Sequence, residues 1–505
     1  MGRDRNSMMR RIVKHRIFAV VVAVTVATTG YAQNEEDALR ISTLQPGGTA
    51  RSNGMANAFG ALGADPSSIG INPAGFGLYR TSGLSLTPAI EVNDAMSTYY
   101  GVKSGDSRTR FYFSNVALIL NNPSKSGSDW RSGTFGVVHD RQQSHYWRDQ
   151  AVGERVPSSI LQGFANEAEG TSYTTILDDR PFTAGLAWYN YGIDTVPGSP
   201  SSYLSYIPVG ADTRQSHVVD SRGASTSTSF FYSGNYMDRL YIGMSLGVVG
   251  HRFKRTTTHT ETTLDQDLDL QDVTYKEDLV TSGNGFDVKV GALVRVNDRF
   301  RSGAAFHSPQ WMQLSDAYAT SLKTTFRTPA SNGAFSYSSN SPDGTFAYRV
   351  VTPWRAVASA AYIAGEHGLV SVDYEYADMR RMRFRQSNQL EDLYDFAVEN
   401  DQIRTAFRVV HSVRVGTEWR SGPWYFRAGW GFVPDAYKKS DPRHGEALKT
   451  YAGGIGYRGD HIAVDLGMNV ALRDSRYFQY SSDLVEATRS ERTNYRSLVT
   501  ISFRP

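Results

Sequence analysis

The sequence predicts an all-β fold, a closed transmembrane barrel of about fourteen antiparallel strands. Three observations predict it. Apolar and polar residues alternate with a period of two in many segments, the pattern of a strand with one oily and one polar face. Short turns alternate with long polar stretches, as turns and loops do at the two ends of a membrane barrel. The strands between them number about fourteen, and single-chain bacterial barrels have an even strand number.

The composition fits strands and excludes several other classes of protein. Aromatic residues make up 12% of the 505 residues, with 29 Tyr and 24 Phe, and this favours strands over helices. The 53 basic and 50 acidic side chains nearly balance, so nothing indicates nucleic acid as a partner. The chain has no cysteine, which excludes disulfides and thiolate metal sites. Its 11 histidines lack ligand spacing, so we predict neither a metal site nor a cofactor.

The chain begins with the features of a secretory signal peptide over residues 1–32. A basic segment ending at Arg16 precedes the apolar run at 17–26, and residues 30–32 supply a small-x-small cleavage site. Cleavage there makes Gln33 the first mature residue. No run of eighteen apolar residues follows, so we predict no membrane-spanning helix in the mature chain.

Residues 47–79 are too rich in glycine and small residues to build a core, yet too apolar for a tail. At their centre is Asn72-Pro73-Ala74-Gly75. The proline pushes the preceding asparagine out of the α region, so the chain must turn there. Glycines on both sides allow close backbone approach. A segment of this kind must be enclosed by another part of the protein.

The clearest strand alternation lies in residues 423–433. Trp424, Phe426 and Trp430 share one face, and Arg427 lies on the other. In a soluble sandwich the oily face would be core, whereas in a membrane barrel it faces lipid and the polar face lines the lumen. The regular alternation of short and long connections favours the barrel. The same pattern recurs in residues 285–296, 409–420 and 461–474.

The barrel is predicted to occupy residues 83–505, with a first strand at about 83–99 and a last strand at about 493–504. Residues 181–191 also look like a strand, but they would put two successive strands in one direction, so we assign them to an outer loop. Several predicted strands exceed the minimum length for a span, so some hairpins should project beyond the bilayer. The predicted short turns are at 121–130, 237–238, 297–298, 365–367, 421–422 and 458–460. The predicted long, extracellular loops are at 141–224, 256–282, 309–353, 385–408, 434–447 and 475–492.

In its N-terminal segment the sequence resembles the FadL-type outer-membrane barrels, which carry long-chain fatty acids and other hydrophobic molecules. The matching residues are Ala50-Arg51, Gly54-Met55, Ala58-Phe59, Ala61, Asp65-Pro66 and Asn72-Pro73-Ala74. The resemblance implies that residues 33–82 form a plug in the lumen of a bacterial outer-membrane barrel. Asn72, Pro73 and Ala74 carry over as residues of the plug's transport motif.

The resemblance further implies that plug movement and a kinked barrel strand open a route, partly sideways into the membrane. Gly133 and Gly136 in the third strand are the candidate kink residues, because glycine weakens strand pairing. The charges on the predicted polar faces have both signs. They indicate either a paired network around a plug or a merely hydrated lumen. These charges are Asp287, Lys289, Arg295, Asp373, Glu375, Arg414, Glu418, Arg427 and Asp465.

Two outer-loop segments have helical spacing. Residues 388–400 begin with a capping box and form a candidate capture helix. Its oily side carries Leu390, Leu393, Tyr394 and Ala397. Residues 158–168 place four apolar residues similarly, namely Ile160, Leu161, Phe164 and Ala168. These faces fit either a capture groove for an apolar ligand or simple packing of the loops.

Three short motifs lack the surrounding structure or residues that their usual function requires. Residues 454–459 have dinucleotide-binding spacing but precede a hairpin instead of a helix. Residues 243–247 match a nucleophile elbow in letters but continue as a strand. The acidic residues of 265–269 lack the glycine and the glutamate that complete a calcium loop. We therefore predict that the protein is not an enzyme.

The sequence favours passive uptake of hydrophobic compounds through a plugged, monomeric barrel embedded in outer-membrane lipid. The expected ligands are long-chain fatty acids, similar lipids or aromatic hydrocarbons, with the plug as the gate. Two other functions stay open. One is a FadL-like barrel that shuttles cargo for type IX protein secretion. The other is a structural or adhesive surface barrel without a conduit.

Overall fold

The computed structural model describes residues 34–45, 47–387 and 394–504. The predicted signal peptide lies outside the described residues. None of the helices in the described ranges is long and apolar enough to cross a membrane. The helices are α1 (Glu35–Ser42), α2 (Ala50–Asn53), α3 (Ile160–Ala168), α4 (Ile176–Asp179), α5 (Ala184–Tyr189) and α6 (Ala397–Ala406), with 3₁₀ segments at Pro66–Gly70, Pro73–Leu78 and Met379–Arg381.

The remaining regular structure is almost entirely one antiparallel sheet. Its strands, with the small pair β5 and β6 beside it, are β1 (Gly83–Tyr99), β2 (Val102–Pro123), β3 (Trp130–Ser144), β4 (Trp147–Val156), β5 (Ile193–Thr195), β6 (Tyr203–Ser205), β7 (Thr213–Tyr236), β8 (Leu240–Thr263), β9 (Leu270–Arg295), β10 (Phe300–His307), β11 (Trp311–Phe326), β12 (Ser336–Asn340), β13 (Gly344–Val351), β14 (Arg355–Ala364), β15 (Gly368–Asp378), β16 (Arg383–Gln386), β17 (Val409–Ser421), β18 (Trp424–Val433), β19 (Leu448–Arg458), β20 (Ile462–Tyr477) and β21 (Thr488–Phe503).

Fourteen antiparallel spans close into one barrel, which confirms the predicted fold class and strand number. β1 pairs with β2 on one side and with β21 on the other, so the described sheet closes on itself. Some spans consist of two segments with a short break, namely β3 with β4, β10 with β11, β13 with β14 and β15 with β16. The first span has its predicted bounds, and the last begins five residues earlier than predicted, at Thr488.

In β18 the apolar side chains point out of the barrel and the charged side chain of Arg427 points into it. Trp424 and Phe426 of β18 are 46% and 49% exposed. Arg427, the next residue of the same strand, is 5% exposed. A soluble sandwich would bury the tryptophan and expose the arginine. The arrangement is that of a transmembrane barrel, with an oily belt facing lipid.

Three neighbouring spans project beyond the oily belt, as the sequence predicts. β7, β8 and β9 contain 24, 24 and 26 residues. Along β8, the outward-facing residues change from Leu246 and Val248 to the exposed Arg252 and Lys254. The hydrogen-bonded ladder therefore continues into water. The predicted loop at 256–282 is wrong for this reason, because a strand that is polar on both faces has the composition of a loop.

The strand-like segment at 181–191 lies in an outer loop, as assigned, but its regular element is the helix α5. Ala184, Leu186 and Ala187 are all buried there. A short helix buried on most sides carries an apolar run that cannot be told from a strand by periodicity.

Candidate functional site

The Asn-Pro-Ala turn is hydrogen-bonded both to another part of the plug and to the barrel wall. The side-chain nitrogen of Asn72 donates hydrogen bonds to the carbonyl oxygen of Gly60, at 2.9 Å, and to that of Ala292 in β9, at 3.1 Å. The side-chain oxygen accepts the N–H of Ala74 at 3.1 Å and caps the 3₁₀ segment Pro73–Leu78. Asn72 is therefore both a cap and a tether.

Glycines on the lumen face of the strands let the plug backbone lie directly against the wall. A Cβ atom at Gly291 would collide with the Asn72 side chain, and one at Gly243 would collide with the Pro73 carbonyl. Four more wall glycines meet Gly60, Met55 or Ala50 in the same way. We call the set the glycine socket: Gly243, Gly291, Gly303, Gly416, Gly429 and Gly467.

Sequence reasoning missed the glycine socket. Glycine in a strand usually indicates a bulge or a weak position, and it can also mark the close approach of another backbone. Their position in the sequence could have indicated this contact, because these glycines fall on the polar, lumen-facing side of alternating strands.

A buried chain of charges ties the plug to four strands, β17 to β20. Arg51 of α2 makes two hydrogen bonds with Glu418, at 2.9 and 2.7 Å. Glu418 also accepts from Arg427 at 2.6 Å, and Arg427 pairs with Asp465, which pairs with Arg458. Burial lowers the pKa of Arg51, but the Glu418 carboxylate more than compensates and the pKa is raised. Of the two predicted alternatives, the structure shows the paired network.

Two buried carboxylates of the wall bind backbone N–H groups of the plug. Asp373 of β15 accepts from Phe59 at 2.8 Å and from Gly60 at 2.9 Å. Asp140 of β3 accepts from Gly48 at 2.7 Å. An irregular segment buried in a lumen leaves such donors unpaired unless the wall supplies acceptors. The wall is therefore built to hold this particular plug backbone.

An apolar compartment lies in the outer half of the lumen. Three residues of α1, Ala38, Leu39 and Ile41, are buried in it. The other side chains come from β8, β11, β13, β15, β16 and β17, from α6 and from the adjoining loops. We call this the lumen cluster: Ala38, Leu39, Ile41, Val249, Met312, Leu314, Tyr348, Val350, Ala377, Met379, Met382, Phe384, Phe396, Ile403, Phe407, Val410 and Tyr437.

The first turn of α1 is held by an outer loop. Arg443 contacts Glu35 at 2.8 Å, Glu36 at 2.9 Å and Asp441 of its own loop at 2.9 Å. Its guanidinium lies over the Tyr437 ring, 4.6 Å from the ring centroid. Burial lowers the pKa of Arg443, but hydrogen bonding to Asp441 and the other acidic neighbours leave it raised. The loop therefore clamps the helix that fills the lumen cluster.

Residues 394–396 of the predicted capture helix 388–400 are not helical. The helix in this region is α6, which begins at Ala397. Leu390 and Leu393 lie outside the described residues. Ala397 is exposed at the start of α6, and its part in capturing a ligand stays a prediction.

Tyr394 precedes α6 and joins the lumen cluster at its edge. Its ring lies 4.8 Å from that of Phe396, and its hydroxyl donates to Glu399 at 2.6 Å. The position of α6 has a local cause. The side chain of Asn400 accepts the N–H of Phe384 at 2.9 Å and donates to its carbonyl at 3.0 Å. The side chain of Asn400 in α6 thus makes the backbone hydrogen bonds at Phe384 of β16 that a neighbouring strand would otherwise make.

The predicted helix at 158–168 is confirmed as α3. Ser159 caps it by accepting the N–H of Leu161 at 3.1 Å. The four predicted apolar residues are all buried against the outer ends of β9 and β11, where they meet Leu270, Tyr275 and Leu322. This face is used for packing and is not an open groove.

The third span departs from the regular ladder. β3 pairs with β2 only as far as Asn115 opposite Asp140, and β4 pairs with β7 alone. Residues 102–114 of β2 therefore have no strand partner on this side among the described strands. Arg108 of β2 bridges the gap to Asp220 of β7 with two hydrogen bonds of 2.8 and 2.7 Å. We call this pair the clasp.

Gly133 and Gly136 lie in the paired part of β3, opposite Gly234 and Phe231 of β7. The break lies elsewhere, between β3 and β4. Opposite this break, Gly223 has φ +121°, a backbone conformation that favours glycine. The two predicted glycines instead allow close packing of paired strands, since a Cβ atom at Gly136 would collide with a carbonyl of β2.

The three discounted motifs have ordinary structural settings. Residues 454–458 and 243–247 lie within strands β19 and β8, and 265–269 lie in a short outer turn. In the described part of the chain, no three His, Asp or Glu side chains are grouped so that they could hold a metal ion.

Solved structures with the same architecture include two Pseudomonas barrels. A FadL homologue from Pseudomonas aeruginosa is 11% identical, with a TM-score of 0.55, over 92% of this chain and 99% of that one. The toluene transporter TodX from Pseudomonas putida is 14% identical, with a TM-score of 0.51, over 91% of this chain and 99% of that one. No protein-family model and no curated protein sequence matches the chain.

Identities this low establish the fold and leave the ligand open. The chain has the fold of the FadL-type outer-membrane barrels, with fourteen strands and an N-terminal segment inside the lumen. Of these two similar structures, TodX is by its name a transporter of toluene.

Proposed function

We propose that this protein carries hydrophobic small molecules passively across the bacterial outer membrane, as a monomeric barrel surrounded by outer-membrane lipid. The observation that carries the proposal is the lumen cluster. Water-filled barrels line their lumen with polar side chains. Here a set of methionines, aromatic rings and aliphatic side chains meets in the outer half of the lumen.

The lumen cluster suits a ligand with a hydrocarbon body. Transfer of each methylene from water into such surroundings contributes about 0.8 kcal/mol, so entry needs no energy source. In this structure Leu39 and Ile41 of α1 fill the cluster. An entering ligand takes the place of these side chains, so α1 acts as the first barrier. Fatty acids, similar lipids and aromatic hydrocarbons all satisfy these requirements.

The plug is the second barrier in the proposed pathway. Asn72, with Pro73 and Ala74, locks it against β9, and the charge chain from Arg51 holds its other end. A ligand leaves when this segment shifts. The unpaired edge of β2 offers a sideways route, which the clasp keeps closed at rest.

The test is native mass spectrometry with lipid extraction on barrel purified from its own membrane in a mild detergent. We expect a bound long-chain or aromatic apolar molecule, which is lost in a Leu39→Asp, Met312→Asp double variant that makes the lumen cluster polar. An empty barrel with a bound partner protein would favour the secretion shuttle. An empty barrel alone would favour a structural role.

A further inference from the structure

A hollow of about 540 Å³ opens on the lipid-facing surface where the first and last strands meet. It lies within the size range of ligand pockets, roughly 300–1,000 Å³. We call it the seam hollow. Its lining, drawn from β1, β2, β19, β20 and β21, is Pro88, Ala89, Ile90, Phe111, Gly453, Gly454, Ile455, Leu466, Gly467, Met468, Ser497, Leu498 and Val499.

The hollow follows from a break in the closing ladder. β1 and β21 pair as far as Leu86 opposite Ile501 and resume at Ala89 opposite Leu498. Pro88 lies between these pairs and has no N–H to donate. The β1–β2 register also shifts beside Pro88. The strand pairing at the seam, where β1 meets β21, is therefore interrupted in the middle of the oily belt.

Small residues deepen the hollow and the plug supports its floor. Gly453 and Ser497 carry no bulky side chain on the outer face. On the inner face, α2 of the plug lies directly behind, where the N–H of Ala50 donates to Thr500 at 2.7 Å and Gly54 meets Gly454. The wall is one backbone thick here and cannot fold inward to fill the space.

The surroundings define the occupant. The rim residues Ile90, Phe111, Leu466 and Met468 are 48–62% exposed, because they belong to the belt that faces the bilayer. Ser497 supplies the one polar side chain among the described lining residues. Nothing there binds a headgroup, and the medium that contacts this surface is hydrocarbon. We propose that the seam hollow binds the acyl chain of a membrane lipid.

This site is separate from the lumen and does not depend on the proposed transport function. The bound chain replaces the packing that the unzipped ladder and the glycines leave out. The hollow therefore selects lipids by the length and shape of the acyl chain, with little dependence on the headgroup. The bound chain stabilises the seam.

Gly453→Phe tests the site by filling it. A Cβ atom at Gly453 meets only an ordinary contact, 3.8 Å from the Arg427 carbonyl, so the side chain can project into the hollow. Ala304→Phe is the matched control, because Ala304 of β10 is exposed on the lipid-facing surface away from the seam. Ser497→Leu fills the hollow from β21 and replaces Gly453→Phe if that variant does not assemble.

The barrels are compared by native mass spectrometry after the same extended wash in detergent. We expect the unmodified barrel and Ala304→Phe to retain one phospholipid, and the filled variant to retain no phospholipid but to keep any apolar molecule bound in the lumen cluster. Added phospholipid should raise the Tm of the first two and leave the filled variant unchanged. Equal lipid retention by all three, retention of free fatty acid alone at the seam, or a barrel dimer that Gly453→Phe disrupts would overturn the proposal.

Discussion

Asn72 combines two roles that different substitutions can separate. Asn72→Ala removes the bonds to Gly60 and Ala292, each worth roughly 0.5–1.5 kcal/mol. We expect impaired ligand uptake from a barrel that still folds, because the plug contributes little to the strand ladder. Uptake of a fluorescent fatty acid and heat-modifiable migration on a gel measure the two effects.

Asn72→Asp is the matched variant for this experiment. It keeps an oxygen acceptor for the N–H of Ala74 but loses both donors to the carbonyls. Its uptake should resemble that of Asn72→Ala. If Asn72→Ala abolishes heat-modifiable migration, the residue is needed for the barrel itself and the gating role fails.

The glycine socket predicts a sharp contrast between two similar substitutions. Gly291→Ala places a methyl group in the space of the Asn72 side chain, and overpacking of this kind costs roughly 1–3 kcal/mol. Gly431→Ala also faces the lumen, but its nearest neighbour lies at 3.6 Å. We expect protease sensitivity of the plug to rise in Gly291→Ala only. Equal sensitivity in both variants would mean that the socket does not position the plug.

Arg443 is expected to set how readily α1 leaves the lumen cluster. Arg443→Ala frees the acidic first turn at Glu35 and Glu36. Partly exposed ion pairs are worth about 1 kcal/mol, so hydrogen exchange across α1 should speed up roughly fivefold. Lys439→Ala removes the same charge from an exposed position in the same loop and should change nothing. Unchanged exchange in both variants would show that the clamp does not control α1.

Among the elements, the broken third span makes the clearest mechanistic prediction. The chain has no cysteine, so paired cysteines at Arg108 and Asp220 can be joined by a short thiol cross-linker without side reactions. If ligands leave through the gap between β2 and β7, the cross-link should lower uptake at least severalfold. Uptake through reconstituted barrels, before and after cross-linking, measures this effect.

The control cross-link joins Leu120 and Phe135, which face each other in the paired part of β2 and β3. That link should leave uptake unchanged because the ladder there is already closed. Full activity with the clasp cross-linked would instead point to a route past the plug toward the periplasm.

Elements were predictable where each face of the chain has its own chemistry. Trp424 and Arg427 reveal both faces of β18, and the strand is where it was expected. In contrast, Thr256 to Thr263 of β8 lie above the bilayer with polar residues on both faces, so no alternation marks them. Helix α6 was misplaced because its position depends on the distant edge of β16, which local periodicity cannot report.

For the whole molecule, the strand count and the plug could be predicted, whereas the inner apolar surface could not. Met312 and Tyr348 fall in the predicted loop 309–353, and only the closed barrel shows that they belong to one apolar cluster in the lumen. Leu39 lies in a short helix of the plug region that the sequence did not indicate. The candidate site is thus made from residues far apart in the chain. Its predicted part was the turn Asn72-Pro73-Ala74, the paired lumen charges and Tyr394.

The glycine socket also has a consequence for biogenesis. The plug precedes every strand in the chain, yet the glycines that receive it are spread from β8 to β20. Their fit is backbone against backbone, and the wall closes only when β21 reaches β1. The N-terminal segment is thus positioned to act as a template around which successive hairpins are laid, so that plug and barrel mature together.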